Sequence, residues 1–273
     1  MYSGTTLTPL SGRVLGAHQK LNRLARGRLG LLLAKDTAFP AIKQIQHFEG
    51  VNGPDAIKRK SPAKDEPWHY YSPFNPKDTD ILNIIEEHHA QLGRALRQND
   101  QVRAAFESAW LAHAIVDGLT PAHHYPYEEM LTELRGGAGI DTRTSIKDKL
   151  VLPGENRRQQ VRNNWKMWGP RGLLATHGFF EFGVAAIIKP LTIKQVPITD
   201  KDLHDLQEHG VIELFRRTAK EVSSLGMYDT YMDVGWTPRL ARQIRKHLVP
   251  AMVKMVTLAW YSAALEAGFA GQR

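Results

Sequence analysis

The stretch His113-Ala-Ile-Val-Asp117-Gly-Leu-Thr-Pro121-Ala-His123 carries the reading of the whole chain. His113 and Asp117 are four residues apart, which on an α-helix is one face. Pro121 breaks that helix and leaves His123 just past the break, free to point back. Imidazole, carboxylate and imidazole are ligand types that zinc and other borderline divalent metals take.

Outward from this stretch, helical periodicity dominates and strand signals are almost absent. A first helix is expected over residues 11–34, carrying His18 and interrupted near Gly27–Gly30, and a second over 37–49. Residues 50–77, rich in Pro, Gly, Lys and Asp, read as one long irregular segment, too long for a plain connector. Helices are then expected over 78–97, from Asn99 or Asp100 to Asp117, and briefly over 127–135. Residues 136–155 read as a loop made flexible by Gly136, Gly137 and Gly139. A long helical stretch over 156–188, broken at Gly169-Pro170, carries His177 and Glu181. A capping-box-like start at Thr199 to Asp202 opens a helix to about 224, and Thr237-Pro238 opens the last, to about 267. With no repeat, low-complexity tract or clean linker, residues 1–273 read as a single all-α domain. The motifs lie within about 11–190, and the helices of 199–268 complete the bundle.

The absence of cysteine excludes disulfides, zinc fingers and thiol catalysis, so a metal site here must use His, Asp, Glu or backbone groups. The net charge of +8 favours anionic partners such as phosphodiesters, nucleic acids or acidic headgroups, although the cations are scattered along the chain. No transmembrane span is expected: the most apolar region, 248–270, is interrupted by Pro250, Lys254 and Glu266 and reads as a buried helix. No secretory signal is visible, which places the chain in the cytoplasm by default.

Three further elements join the central one. His177-x3-Glu181 again sets two ligand types on one helix face. Gly53-Pro54-Asp55 is followed by Pro67-Trp68-His69-Tyr70, and His18 lies in the first helix. Singly, each has an ordinary explanation: a surface ion pair, a turn aspartate, a packed aromatic loop, a lone helical histidine.

Together, in the order His18, Asp55, His69, His113-x3-Asp117-x5-His123 (with Pro121 between) and His177-x3-Glu181, they resemble the zinc-dependent phospholipase C family. The single-strand-specific nucleases of fungi and plants share its fold. The resemblance covers positions 18 to 181 as spaced motifs. It implies an all-α bundle with a metal cleft holding two or three zinc ions. One would take Asp55, His69, His113 and Asp117; a second His123, His177 and Glu181; a third His18 and Asp117, the Asp117 carboxylate bridging it to the first. In the family an N-terminal Trp completes the third site through its amine and carbonyl. No Trp precedes Trp68 here, which leaves the Met1 amine, or another group before His18, to take that place. The gap from His123 to His177 is longer than the family's, so 136–155 is expected to form an inserted surface loop near the cleft.

The implied reaction is hydrolysis of a phosphodiester by metal-activated water, with Asp55 and Asp117 as the carboxylates at the reacting centre. Asp55 is a ligand first, its role as general base open. Trp68, Tyr70, Tyr71 and Phe74 flank His69, and Tyr125 and Tyr127 follow His123. These aromatics suit stacking on a base, a cation–π box for a quaternary ammonium headgroup, or plain packing. The expected partner is an anionic phosphodiester, phospholipid or single-stranded nucleic acid, with transient membrane-surface contact. The family is mostly extracytoplasmic, in tension with the missing signal.

Other readings compete. Glu86-x-x-His89 matches one half of a di-iron carboxylate motif, but no second half pairs with it. His204-Asp205 matches the doublet of other metal phosphohydrolases without a partner set. A basic helical protein that binds nucleic acid would explain the charge and leave the ordered ligands unexplained; a relic of the fold that has lost one or more metals, acting as a binding module, is a further reading.

Overall fold

The computed structural model describes residues 1, 16–62, 68–192 and 196–271. The expected opening turns from Ser11, and Pro67 of the Pro-Trp-His-Tyr motif, lie outside the described residues. Among the described residues there is no strand, only an isolated bridge between Leu33 and Gly271. The all-α expectation holds.

Helix α5 (Gln101–Gly118) organises the bundle. The Asp100 side chain caps it by accepting the Arg103 amide at 2.9 Å. From Ala104 onward nearly every residue is buried, and five alanines let neighbours approach on all sides. Helices α1 (Ala17–Leu29), α2 (Ile42–His47), α4 (Asp80–Arg97) and α13 (Val249–Glu266) pack around it. The indole of Trp260 on α13, wholly buried, donates to the Ser108 carbonyl at 3.0 Å. One continuous apolar core runs from Ala17 to Ala264. At the end of α5, Gly118 admits the ring of Phe215 from α10 (Asp200–Ser224): a Cβ there would lie 2.6 Å from its Cζ. The capping box at Thr199 and Asp202 forms as expected, and Lys254 of α13 clamps Asp202 at 2.9 Å.

The chain departs from expectation in its irregular stretches. Residues 50–77 are not all irregular: a 3-10 turn over Gly50–Asn52 leads into helix α3 (Pro54–Lys60), opened by Pro54 in the first turn where a missing amide costs nothing. The expected loop over 136–155 holds a 3-10 turn (Ile140–Thr142) and helix α7 (Ile146–Leu150). Buried Arg143 pins it to Glu128 of α6 (Tyr127–Leu134), and Arg135 donates to the Asp148 carbonyl at 2.7 Å. The long stretch does break at Gly169–Gly172, into α8 (Arg157–Trp168) and α9 (Leu173–Ile188).

Helix α11 (Met227–Val234) was not foreseen. Its Tyr228 and Tyr231, with Trp236, surround Phe180 of α9, and the Trp236 ring lies stacked on Phe180 at 5.6 Å. The last helix is α12 (Pro238–Gln243), a π turn (Ile244–Leu248) and α13 in sequence. Pro238–Glu266 is long and apolar enough to cross a membrane, yet 67% of its apolar window is buried inside the protein, as in a core helix.

Candidate metal centre

Five segments converge on Asp117 near the end of α5. Its carboxylate is wholly buried, a position that costs several kcal/mol unless cations or donors surround it. Oδ2 lies 2.5 Å from His69 Nδ1 and 3.2 Å from His113 Nε2. Oδ1 lies 3.3 Å from His18 Nε2, 3.8 Å from His123 Nδ1, and accepts from the Met1 amine. The two oxygens therefore face two different groups of ligands.

Each ligand is placed by local structure. His113 and Asp117 share one face of α5, as their spacing requires. His18, on α1, stacks flat against the His113 ring at 4.0 Å. Asp55 sits in the first turn of α3, its Oδ1 3.7 Å from His113 Nε2. Gly53 allows that turn to fold over Glu49: a Cβ would lie 2.9 Å from the Glu49 Cα. After Thr120 the chain enters a 3-10 turn, Pro121–His124, that swings His123 back. His123 Nδ1 donates to the His69 carbonyl at 2.8 Å, and the Tyr71 amide to the His123 carbonyl at 3.1 Å. This double tie leaves His123 Nε2 2.9 Å from Glu181 Oε1, with His177 Nε2 3.0 Å away from the same oxygen. Helix α9, held by the α11 aromatics, presents that pair at i and i+4.

Three groups of side chains each offer ligand atoms within 4.8 Å of one another: Asp55, His69, His113 and Asp117; His123, His177 and Glu181; and His18, Glu49 and His113. Ligands on one tetrahedral zinc ion are about 3.3 Å apart for bonds of ~2.0 Å, so small side-chain adjustments suffice. The first two groups are the expected sets. The third differs: His18 is grouped with Glu49 and His113, although its 3.3 Å approach to Asp117 keeps the expected pair in reach.

The Met1 backbone completes this side. Its ammonium lies between Asp117 and Glu181, 3.2 Å from Glu181 Oε1, and its carbonyl accepts from His18 Nε2 at 2.8 Å. The ammonium is a cation at the point where two buried carboxylates need one.

Charge tunes the donors. Burial alone would depress the His113 imidazole, but Asp117, Glu49 and Asp55 outweigh it and raise it to about 10. Burial and the Met1 ammonium push His123 down to about 4 against the pull of Asp117 and Glu181. Burial would raise Asp117 and Glu181; the ammonium and neighbouring imidazoles hold both well below the usual carboxylate range. The Met1 amine is raised, its own desolvation overcome by the same carboxylates.

Glu49 escaped the sequence reading. It is 1% exposed, accepts from the Gly50 amide and faces His113 Nδ1 at 3.1 Å. A carboxylate in this place holds His113 Nδ1 and leaves Nε2 turned toward Asp117. The only cue was its position just ahead of a glycine-rich turn. Exposure within the cluster is uneven: the side chains of Asp55, His177 and Glu181 are 18%, 12% and 12% exposed, whereas those of His18 and Glu49 are fully buried.

The aromatic candidates divide. Trp68 packs edge-on against Tyr70, and Tyr70 stacks on Tyr127 at 5.3 Å and leans on His123. Tyr127 also meets His177 edge-on. Tyr125, partly buried, rests against Tyr228. Tyr71 is a correction: it is 3% exposed and packs on Phe215, because alternation along residues 69–71 turns it into the core. Phe74 is 65% exposed. Leu152 of the 136–155 segment packs in one cluster with Tyr127 and Met167. Of the competing motifs, half-buried His89 meets Glu266 at 3.8 Å, while His204 meets Glu208 at 3.6 Å and Asp205 binds Lys201 on the surface of α10.

No protein-family model, curated protein or solved structure matches the chain.

Proposed function

We propose that this chain is a metal-dependent phosphodiester hydrolase, phospholipase C-like, built to hold two or three zinc ions. The observation that carries the reading is the gathering of seven expected ligands, from distant segments, around an eighth, the buried Asp117 carboxylate, which demands a cation. Asp55, His69, His113 and Asp117 would hold one ion, and His123, His177 and Glu181 a second. His18 and Asp117, with the Met1 amine and carbonyl, would hold a third. Bound zinc would supply an acidic water and a clamp for phosphate oxygens.

The chain's own groups do the rest. Asp117 spans the ligand sets with its two oxygens, so one side chain fixes their relative position. Asp55, 18% exposed, is placed to take a proton from an entering water while remaining a ligand. Tyr70 and Tyr127, stacked on one another beside His123 and His177, would limit the water that reaches the second ligand set.

Elemental analysis of protein reconstituted with zinc should find two or three ions per chain; fewer than one would refute the assignment. His113→Ala and Asp117→Ala should each abolish metal retention and hydrolysis of a bis-aryl phosphodiester. A choline phospholipid assayed against single-stranded DNA separates the phospholipase from the nuclease reading. The aliphatic surface described next favours the lipid.

A further inference from the structure

Outside the cleft, the face built by α7 and α8 breaks the usual pattern of a protein surface. Val161, Trp165 and Trp168, at i, i+4 and i+7 of α8, are 69%, 68% and 45% exposed. The Trp168 indole donates to the Leu150 carbonyl at 2.8 Å, which joins this stripe to Leu150 and Val151, themselves 45% and 38% exposed. Isolated exposed apolar residues are ordinary; a connected group with two tryptophans is not.

The same face is cationic. Residues 146–171 hold seven Lys and Arg against two acidic residues, a net +5, where the whole chain carries +8. Within α8 there are four cations, Arg157, Arg158, Arg162 and Lys166, all exposed, and no acid. Of the two acids, Asp148 is engaged by Ser145.

We infer that the α7–α8 face docks on an anionic lipid bilayer, with Trp165 and Trp168 in the headgroup layer and the arginines on lipid phosphates. Indoles favour that layer, since one edge is apolar and the other a donor. Arginine and lysine bury their stems beside them while keeping the charge outward. The alternatives fit less well. A second copy on the same face would set +5 against +5. A nucleic acid would satisfy the cations and stack on the indoles, but it offers nothing to Val161, Leu150 and Val151. The face is also coupled to the cleft: Met167 on the inner side of α8 packs with Tyr127, which touches His177. Docking there would bring a bilayer close to the candidate site. The inference goes beyond the hydrolase reading and does not depend on it.

The test is sedimentation with vesicles of phosphatidylcholine alone and of phosphatidylcholine with one third phosphatidylserine, run in chelator on the full chain. The protein should bind the anionic vesicles, release as salt rises, and bind the neutral ones far less. Trp165→Ser and the pair Arg158→Glu, Arg162→Glu should each weaken binding by about tenfold or more. Zinc-loaded variants should turn over a soluble bis-aryl phosphodiester as the parent does, which shows that they are folded. Absence of vesicle binding by the parent overturns the inference, as does binding unchanged in both variants. So does a dimer in sedimentation velocity that Trp165→Ser dissolves, or tighter binding to a single-stranded oligonucleotide than to vesicles. A parent that binds vesicles but is inert on the soluble diester leaves the docking face standing and refutes the hydrolase.

Discussion

His113 and His123 lie ten residues apart, share Asp117 as a neighbour, and are driven in opposite directions. His113 sits among three carboxylates and holds a proton to about pH 10; His123, beside the Met1 ammonium, gives its proton up near pH 4. The inner half of the centre is thus an anionic pocket that seeks positive charge, whereas the rim half already presents neutral imidazole. Burial is equal for the two rings, at 2% exposure, so charge alone sets them apart. A metal entering the inner half must displace a proton, and one entering the rim need not.

The harshest way to break this contrast is Asp117→Ala. It leaves the Met1 ammonium and His113 buried without their main counter-charge. The metal-free protein should lose about 3–5 kcal/mol in urea unfolding, the cost typical of stripping one partner from a buried pair. A loss under 1 kcal/mol would mean that the pocket does not hold charge as described.

Acid and alkali should separate the halves. His113 has a raised folded pKa, so the stability it contributes is complete below about 6.5 and disappears as pH climbs through 10. His123 is depressed, so its contribution is lost as pH falls from 6.5 toward 4, where Asp117 and Glu181 begin to lose theirs as well. At about 1.4 kcal/mol per pKa unit, each limb amounts to a few kcal/mol. Urea midpoints of metal-free protein against pH should form a dome, and His113→Asn should flatten chiefly its alkaline side, where the raised Met1 amine keeps a smaller limb. Flattening of the acid side instead would reverse the assignment.

A gentler probe compares Glu49→Gln with His177→Ala. Glu49 orients a ligand without being exposed to substrate, so its amide variant should weaken zinc about 10–100-fold at unchanged stoichiometry, with full turnover once loaded. His177→Ala should remove one ion from the count and change metal-free stability by about 1 kcal/mol or less. Isothermal titration with zinc reads both; equal stoichiometry in the two variants would erase the distinction between orienting and ligating groups.

What the sequence disclosed follows the range of each interaction. The pairs His113–Asp117 and His177–Glu181 were legible because a helix fixes i, i+4 geometry locally. Capping signals at Asp100 and Thr199 marked helix starts for the same reason. Glu49 was hidden because its partner is 64 residues away and no periodicity links them. Tyr71 was misjudged because its neighbours are cleft residues and only the bundle decides which way a short extended segment faces. Helix α11 was overlooked because, at eight residues, its apolar positions make only a short stripe. Residues 50–62 and 136–155 looked like loops because glycine and proline there punctuate short helices as readily as they break long ones.

The bond from the Tyr71 amide to the His123 carbonyl has a use of its own. Backbone hydrogens trade with solvent deuterium only when such a bond opens. Tyr71 lies against Phe215 in the core while its amide reports on the turn that aims His123 at Glu181. The exchange rate of this one hydrogen is therefore a clock for how often the rim loosens, readable without metal, substrate or turnover.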